Sequence, residues 1–372
     1  MSLISLMDKH QKDCSVDEFS AYFYAEYPNS DKTIYDALFK QLRDVQVTPD
    51  VGQDIVDKHI QRKNALKLSE LAFEVSQGTK TPEQLSEFLS TTKTTETTVT
   101  SLEETSNDLE SLIEHVHSTP GLRWRLDCLN KSLGSLRKGD FGFIFARPET
   151  GKTTFLASEV THMLTQSHDS LIWLNNEEDG WKVMLRVYCS YFGVSSDVIM
   201  ANIKRFTEIF KQEVGSRFKL FDSATISRSD VERLVERLNP QLVVYDQIDK
   251  IKGFANDRED LRLGSIYQWA RELAKGSHAA IGVCQADGHA EGVRHLTMEH
   301  VANAKTAKQA EADFILGIGK DGNPDLATAR YLTISKNKLL GDPDSISDLR
   351  HGRFEVLIEP TIARYVDVIK FQ

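Results

Sequence analysis

The stretch Phe141 to Glu159, F-G-F-I-F-A-R-P-E-T-G-K-T-T-F-L-A-S-E, limits the fold more than any other part of the chain. Apolar and small residues, too few and too β-like for a helix, run into a turn rich in Pro, Thr and Gly, after which a helical pattern begins. Within it, Ala146 to Thr153 fits G-x-x-x-x-G-K-[ST], with alanine in the first glycine's place. Backbone N–H groups of such a loop, together with the positive end of the helix it opens, make a concave site for phosphate oxygens. The loop Ala146, Arg147, Pro148, Glu149, Thr150, Gly151, Lys152, Thr153 and Thr154 is therefore the candidate nucleotide cradle. Lys152 is placed to reach the β- and γ-phosphates and the Thr153 hydroxyl to join the shell of Mg²⁺, which makes ATP and Mg²⁺ the expected cofactors.

Around this unit the chain reads as α/β. From Gly121 onward strands and helices alternate, the pattern of a mostly parallel sheet covered on both faces. Strands are expected at Phe141–Ala146, Leu171–Leu174, Lys219–Asp222, Leu242–Asp246, Ala280–Cys284, Phe314–Ile318 and Tyr331–Ser335, with a closing hairpin from F-E-V-L-I-E-P and A-R-Y-V-D-V. Ser229 with Glu232 reads as a capping box for the helix before the Leu242 strand.

Ahead of this, residues 1–89 read as a small all-helical domain. F-S-A-Y-F-Y-A-E-Y is aromatic, Ile34, Leu38, Phe39 and Leu42 share one helical face, and a further helix is expected from about Val51 to Gln77 with a stripe at Ile55, Ile60, Leu66, Leu68, Leu71 and Val75. These aromatics suit a core or a subunit contact better than a base-stacking platform, because basic residues do not alternate with them. Residues 90–120 form a linker: a Thr/Ser-rich run with little to bury, then Leu102, Leu109, Leu112, Ile113 and Val116 as one amphipathic helix. That stripe needs a groove, in cis or on a neighbouring subunit.

Ligands of such sheets sit at the carboxyl ends of the strands. Asp246, after L-V-V-Y, is a candidate Mg²⁺ contact, and L-I-W-L-N-N-E-E ends with Glu177 and Glu178. One of these is suited to deprotonating an attacking water, and strand parity alone does not say which. Gln285 ends a third strand and is placed to sense a γ-phosphate, although a satisfied polar strand end is commoner. In S-K-N-K-L-L-G, Lys336 and Lys338 project to one side of an extended segment, where they either stabilise phosphoryl charge or form a solvated edge.

Composition sets outer limits. With a formal net charge of −10, the chain does not suit coating nucleic acid over its whole surface, yet a narrow basic channel stays open. No apolar run approaches a membrane span and Met1 to Gln11 lacks a signal-peptide pattern, so a cytosolic protein is expected. The four cysteines form no C-x-x-C pair, and His115 and His117 have no second pair nearby, so no zinc site or disulfide framework is indicated.

The order and wording of these elements resemble the C-terminal ATPase domain of DnaB-type replicative helicases, a branch of the RecA-like ring motors. G-L-R-W-R-L-D-C-L-N-K-S-L-G-S-L-R-K-G-D is similar to that family's opening segment and A-R-P-E-T-G-K-T-T-F to its phosphate loop, where alanine is usual. The resemblance, which covers about Leu102 to the C-terminus, implies a homo-oligomeric, hexameric ATPase that unwinds duplex DNA at a fork while moving on a single strand, 5′ to 3′. Primase, polymerase or helicase loader are the implied protein partners. It places the catalytic glutamate at Glu177, from the spacing to Met184 and Arg186, the Walker B aspartate at Asp246 and the coupling glutamine at Gln285. Where the family has Lys-x-Arg reaching a neighbour's γ-phosphate, this chain has Lys336-Asn337-Lys338, a charge without a planar fork. Asn303 and Lys305 fall in the segment that holds the DNA backbone, and Arg364-Tyr365 corresponds to a Thr-Arg-Phe whose aromatic lies near the base; packing is the other reading of that pair. The compact N-terminal part is what a bacteriophage replication helicase would carry. The rival readings are a RecA-like recombinase filament and a nucleotide-gated replication scaffold.

Overall fold

A computed structural model describes residues 15–44, 49–82, 84–85, 88–89, 108, 121–222, 224–254, 258–303 and 305–368. The expected linker helix at Leu102–Val116, the Thr/Ser-rich run before it, and His115 and His117 lie outside the described residues. The chain divides into two compact units, Met1–Thr105 and Ser106–Gln372.

In the first unit, α1 (Val16–Glu26), α2 (Lys32–Asp44) and α3 (Pro49–Ser76) follow one another. Ser15 starts α1 with a reciprocal cap: its hydroxyl accepts from the Glu18 N–H while Glu18 accepts from the Ser15 N–H. The aromatics of α1 close on α2, with Phe19 and Phe39 buried edge to face at 5.8 Å and Phe23, Tyr24 and Tyr35 packed around them. They form a small core, as the lack of interleaved basic residues predicts. The stripe expected on α3 is less regular: Leu71 is buried, but Leu66 is exposed. The side chains of Ile34, Leu38, Leu42, Ile55 and Ile60 lie outside the described ones.

The second unit is a nine-stranded sheet in the order β3-β2-β4-β5-β1-β6-β7-β8-β9. The strands are β1 (Phe141–Ala146), β2 (Leu171–Asn175), β3 (Phe218–Asp222), β4 (Leu242–Asp246), β5 (Ala279–Gln285), β6 (Phe314–Gly319), β7 (Ala329–Asn337), β8 (Arg353–Glu359) and β9 (Arg364–Asp367). Strands β1 to β6 pair in parallel and β7 to β9 antiparallel, so the mostly parallel α/β sheet expected from the sequence is the one found. Both faces are buried, which is why the parallel strands read as nearly unbroken apolar runs. In β4, Leu242 and Val244 enter the core on one face while Val243 and Tyr245 enter the core on the other.

The helices of this unit are α4 (Asp127–Leu133), α5 (Lys152–Leu164), α6 (Gly180–Phe192), α7 (Ser196–Ala201), α8 (Ile203–Glu213), α9 (Arg228–Leu238), α10 (Glu259–Lys275) and α11 (Lys305–Glu311). The cap of α9 corrects the expectation. Ser227, not Ser229, is the N-cap and Asp230, not Glu232, closes the box, because the helix begins at Arg228. Glu232 instead accepts from Arg228 and from the Trp269 indole. β7 also runs two residues beyond its expected end, which puts Lys336 inside the strand.

His278, just before β5, is fully buried; Ser277 contacts its Nδ1 and its Nε2 has no partner. Burial, then Lys138, depresses its pKa to about 4. The folded domain keeps this ring neutral while the unfolded chain protonates it below about pH 6.5. Its contribution to stability is therefore complete above that pH and is lost as pH falls towards 4. In urea denaturation at a series of pH values, His278→Gln should lose less stability on acidification than wild type, by up to about 3 kcal/mol. Parallel pH profiles would contradict this.

Candidate functional site

The phosphate loop leaves β1 at Ala146 and enters α5 at Lys152, with Gly151 as N-cap at φ 105°. A Cβ at Gly151 would lie 2.7 Å from Ile358 Cδ1 and 2.9 Å from Tyr365 Oη, so both the left-handed backbone and the room behind it require glycine. The first turn of α5 has N–H groups without intrahelical acceptors. A cavity of about 340 Å³ opens there, lined by Pro148, Glu149, Gly151 to Thr154, Glu177, Glu178 and Arg186. A second groove of about 280 Å³, lined by Trp181, Leu185, Pro360, Thr361 and Ala363 among others, shares Arg186 with it.

The register brings the acidic strand ends to this cavity: Asn175 of β2 lies opposite Asp246 of β4, and Ala146 lies opposite Gln285 of β5. Lys152 is buried, with Nζ 3.5 and 3.3 Å from the Ala146 and Arg147 carbonyls. Burial lowers its pKa, against the pull of Glu177 and Asp246. Asp246 is also buried, and neither of its oxygens accepts a well-aligned hydrogen bond. Burial, then Glu177, pushes its carboxyl up to about 7, while the nearby Trp173 indole and Lys152 pull the other way. An unsatisfied buried carboxylate beside a phosphate cradle is chemically suited to a divalent cation. Among the described residues no cluster of three His, Cys, Asp or Glu could hold a metal ion.

The two glutamates separate. Glu177 Oε2 accepts from Gln247 Nε2 at 2.7 Å, whereas Glu178 Oε2 pairs with Arg186 Nη1 at 2.6 Å. Gln247 is a residue the sequence did not point to; it follows Asp246 directly, at φ 61°, and is buried. Arg330, near the start of β7, is another. It is buried behind the loop and donates to the Thr150 carbonyl at 2.6 Å.

Tyr365 joins Arg330 behind the loop: its ring is fully buried against Phe155, and its hydroxyl donates to the Thr150 and Gly151 carbonyls at 3.4 and 3.3 Å. Arg364 donates to the Ser190 and Tyr191 carbonyls. Tyr365 thus braces the loop from behind, and Arg364 fastens β9 to the end of α6. Arg147 turns away to Glu291 and the Ala286 carbonyl.

Gln285 accepts through its backbone from the Ala302 N–H, tying the β5 end to the segment at Asn303. Asn303 is exposed at φ 49° and donates to Glu259; the Lys305 side chain lies outside those described. Lys336 and Lys338 sit at the other end of the sheet. Asn337 registers with Phe314, and Phe314 with Gly142, so about 13 Å of strand separates them from Ala146. Lys336 Nζ donates to the Gln309 and Ala310 carbonyls at the end of α11, and Lys338 is exposed.

A phosphate loop at the central strand of a parallel sheet, with an acidic pair at neighbouring strand ends, defines a P-loop ATPase. The family model for the AAA domain matches residues 93–285, just over half of the chain, and the protein belongs to that family. Its fold is similar to a solved structure described as an ATPase domain, with a TM-score of 0.59 and 16% identity over 72% of this chain and 100% of that one. It is also similar to the structure of a DnaB-like replicative helicase and its interactions with primase, with a TM-score of 0.62 and 16% identity over 98% of this chain and 90% of that one. No curated protein sequence matches significantly. No described helix is long and apolar enough to cross a membrane.

Proposed function

We propose that the protein is an ATP-driven replicative DNA helicase of the DnaB type that works as a closed hexameric ring. The observation that carries this reading is the division of the catalytic groups between the two ends of the sheet. Lys152, Thr153 and Glu177 line the cavity at the phosphate loop and Asp246 lies close enough to act on Lys152 and Glu177, while Lys336 and Lys338 stand at the other end of the sheet. Two cations so placed complete an ATP site only by facing a neighbour's nucleotide, the arrangement of a ring or filament motor. The likeness to the fold of a DnaB-like replicative helicase supports the helicase reading.

In this reading the loop N–H groups and Lys152 hold the phosphates. Thr153 and Asp246 would hold Mg²⁺, which would supply positive charge against the phosphates. Glu177, oriented by Gln247, takes a proton from the attacking water. The groove shared through Arg186 receives the base and ribose. Lys338 of an adjacent subunit, with Lys336, stabilises the transferred charge. Gln285 reports γ-phosphate loss to the segment at Asn303 and Lys305, which grips the backbone of single-stranded DNA with little sequence preference. Translocation runs 5′ to 3′ along one strand of forked DNA, and a primase, polymerase or loader docks on the assembly. The protein works in the cytoplasm.

Electron micrographs in a non-hydrolysable ATP analogue with oligothymidylate should show closed six-membered rings, and single-stranded DNA should raise ATP turnover. Open filaments would replace this reading with a recombinase. Turnover indifferent to DNA would replace it with a nucleotide-gated scaffold.

A further inference from the structure

We propose that the ion pair between the buried Lys308 and the partly buried Asp249 is the positioning link that carries the state of the ATP site to the segment at Ala302 and Asn303; this rests on the reading of that segment as DNA-facing. Lys308, on α11, is fully buried. Its Nζ donates to Asp249 Oδ2 at 2.6 Å and to the Ala302 carbonyl at 2.9 Å, and it lies over the Tyr267 ring, 5.4 Å from its centre. The Tyr267 hydroxyl in turn donates to Asp249 Oδ1 at 3.1 Å. One ammonium thus joins three elements: the turn after β4, α10, and the segment entering α11.

From Asp249 the connection runs back to the catalytic carboxylate in two steps. Asp249 belongs to the short turn Ile248–Lys250, which starts from Gln247, and the Gln247 amide holds Glu177. At the other end, Ala302 is fastened on both sides, its N–H to the Gln285 carbonyl and its carbonyl to Lys308, and Asn303 follows immediately. The Lys308 ammonium is fully buried, and separating such a charge from its partner is strongly unfavourable, so it stays with Asp249. A shift of the Gln247 turn, as Glu177 gains or loses its phosphate neighbour, therefore moves Lys308 and the carbonyl it holds. The sequence offered no sign of this, since Asp249 and Lys308 look like any solvated charges near strand and helix ends.

Coupling of this kind is reciprocal, so it is readable as a nucleotide-dependent DNA affinity. The probe is labelled oligothymidylate, measured by fluorescence anisotropy in a non-hydrolysable ATP analogue and in ADP. The wild type should differ between the two states by about fivefold or more. Asp249→Leu with Lys308→Met removes both charges while filling similar volume, a change that buried pairs often tolerate without loss of stability. The double variant should melt near the wild-type temperature and keep its basal ATP kcat and KM within about twofold, while its affinity ratio falls to about one. Asp249→Asn, which keeps the turn and its volume, should lower the ratio by at least about twofold, and Asp249→Glu should retain it. A wild-type ratio preserved in the double variant and in Asp249→Asn overturns the link. A wild type that binds oligothymidylate in neither state overturns the DNA reading on which the link rests.

Discussion

Lys152→Ala should lower ATP turnover by about a thousandfold or more while leaving the domain folded. The ammonium is the one side-chain cation buried inside the phosphate loop among the described residues, and it sits between the loop carbonyls and the carboxylates of Glu177 and Asp246. Phosphoryl transfer needs little covalent help from the protein, so removing a positioned charge at the γ-phosphate removes most of what the site contributes. Burial already disfavours that charge in the nucleotide-free protein, so its loss should leave the melting temperature unchanged or raised. Steady-state hydrolysis and thermal melting, measured on one preparation, check both halves. Undiminished turnover would remove the phosphate loop from catalysis.

Glu177→Gln should separate binding from chemistry. The replacement keeps an oxygen to accept from Gln247, so the cavity retains its shape, but the side chain no longer takes a proton from water. Turnover should fall by about 10² to 10⁴, the usual worth of a general base, with ATP affinity within a few-fold of wild type. Glu178→Gln, in contrast, disturbs a partly exposed ion pair with Arg186, worth about 1 kcal/mol or less, and turnover should stay within several-fold. Filter binding of ATP and single-turnover hydrolysis on both variants decide the assignment. Loss of chemistry in Glu178→Gln with retention in Glu177→Gln would reverse the two roles.

Much of the sheet was legible because strands buried on both faces leave continuous apolar runs, and because one loop announces where β1 ends and α5 begins. Asp246 was legible for the same reason, as a carboxylate closing an apolar strand. Strand parity could not divide Glu177 from Glu178, and the division comes from Gln247, whose left-handed backbone no propensity favours. Arg330 and Tyr365 brace the loop from about 200 residues downstream, and contacts at that separation leave no local pattern. The α9 cap slipped by two residues because Ser227 and Ser229 present the same chemistry, and only the helix start distinguishes them. Lys336 and Lys338 were recognisable as candidates; their distance from their own phosphate loop emerged only from the register across β7, β6 and β1.

The most direct test of the proposed motor is strand separation of a forked DNA with a free 5′ tail, with ATP and Mg²⁺, comparing wild type with Glu177→Gln. Wild type should separate the strands, and Glu177→Gln should bind the fork without separating it. Wild type that hydrolyses ATP in the presence of the fork yet leaves it paired, in closed rings loaded on the 5′ tail, would contradict the proposed motor.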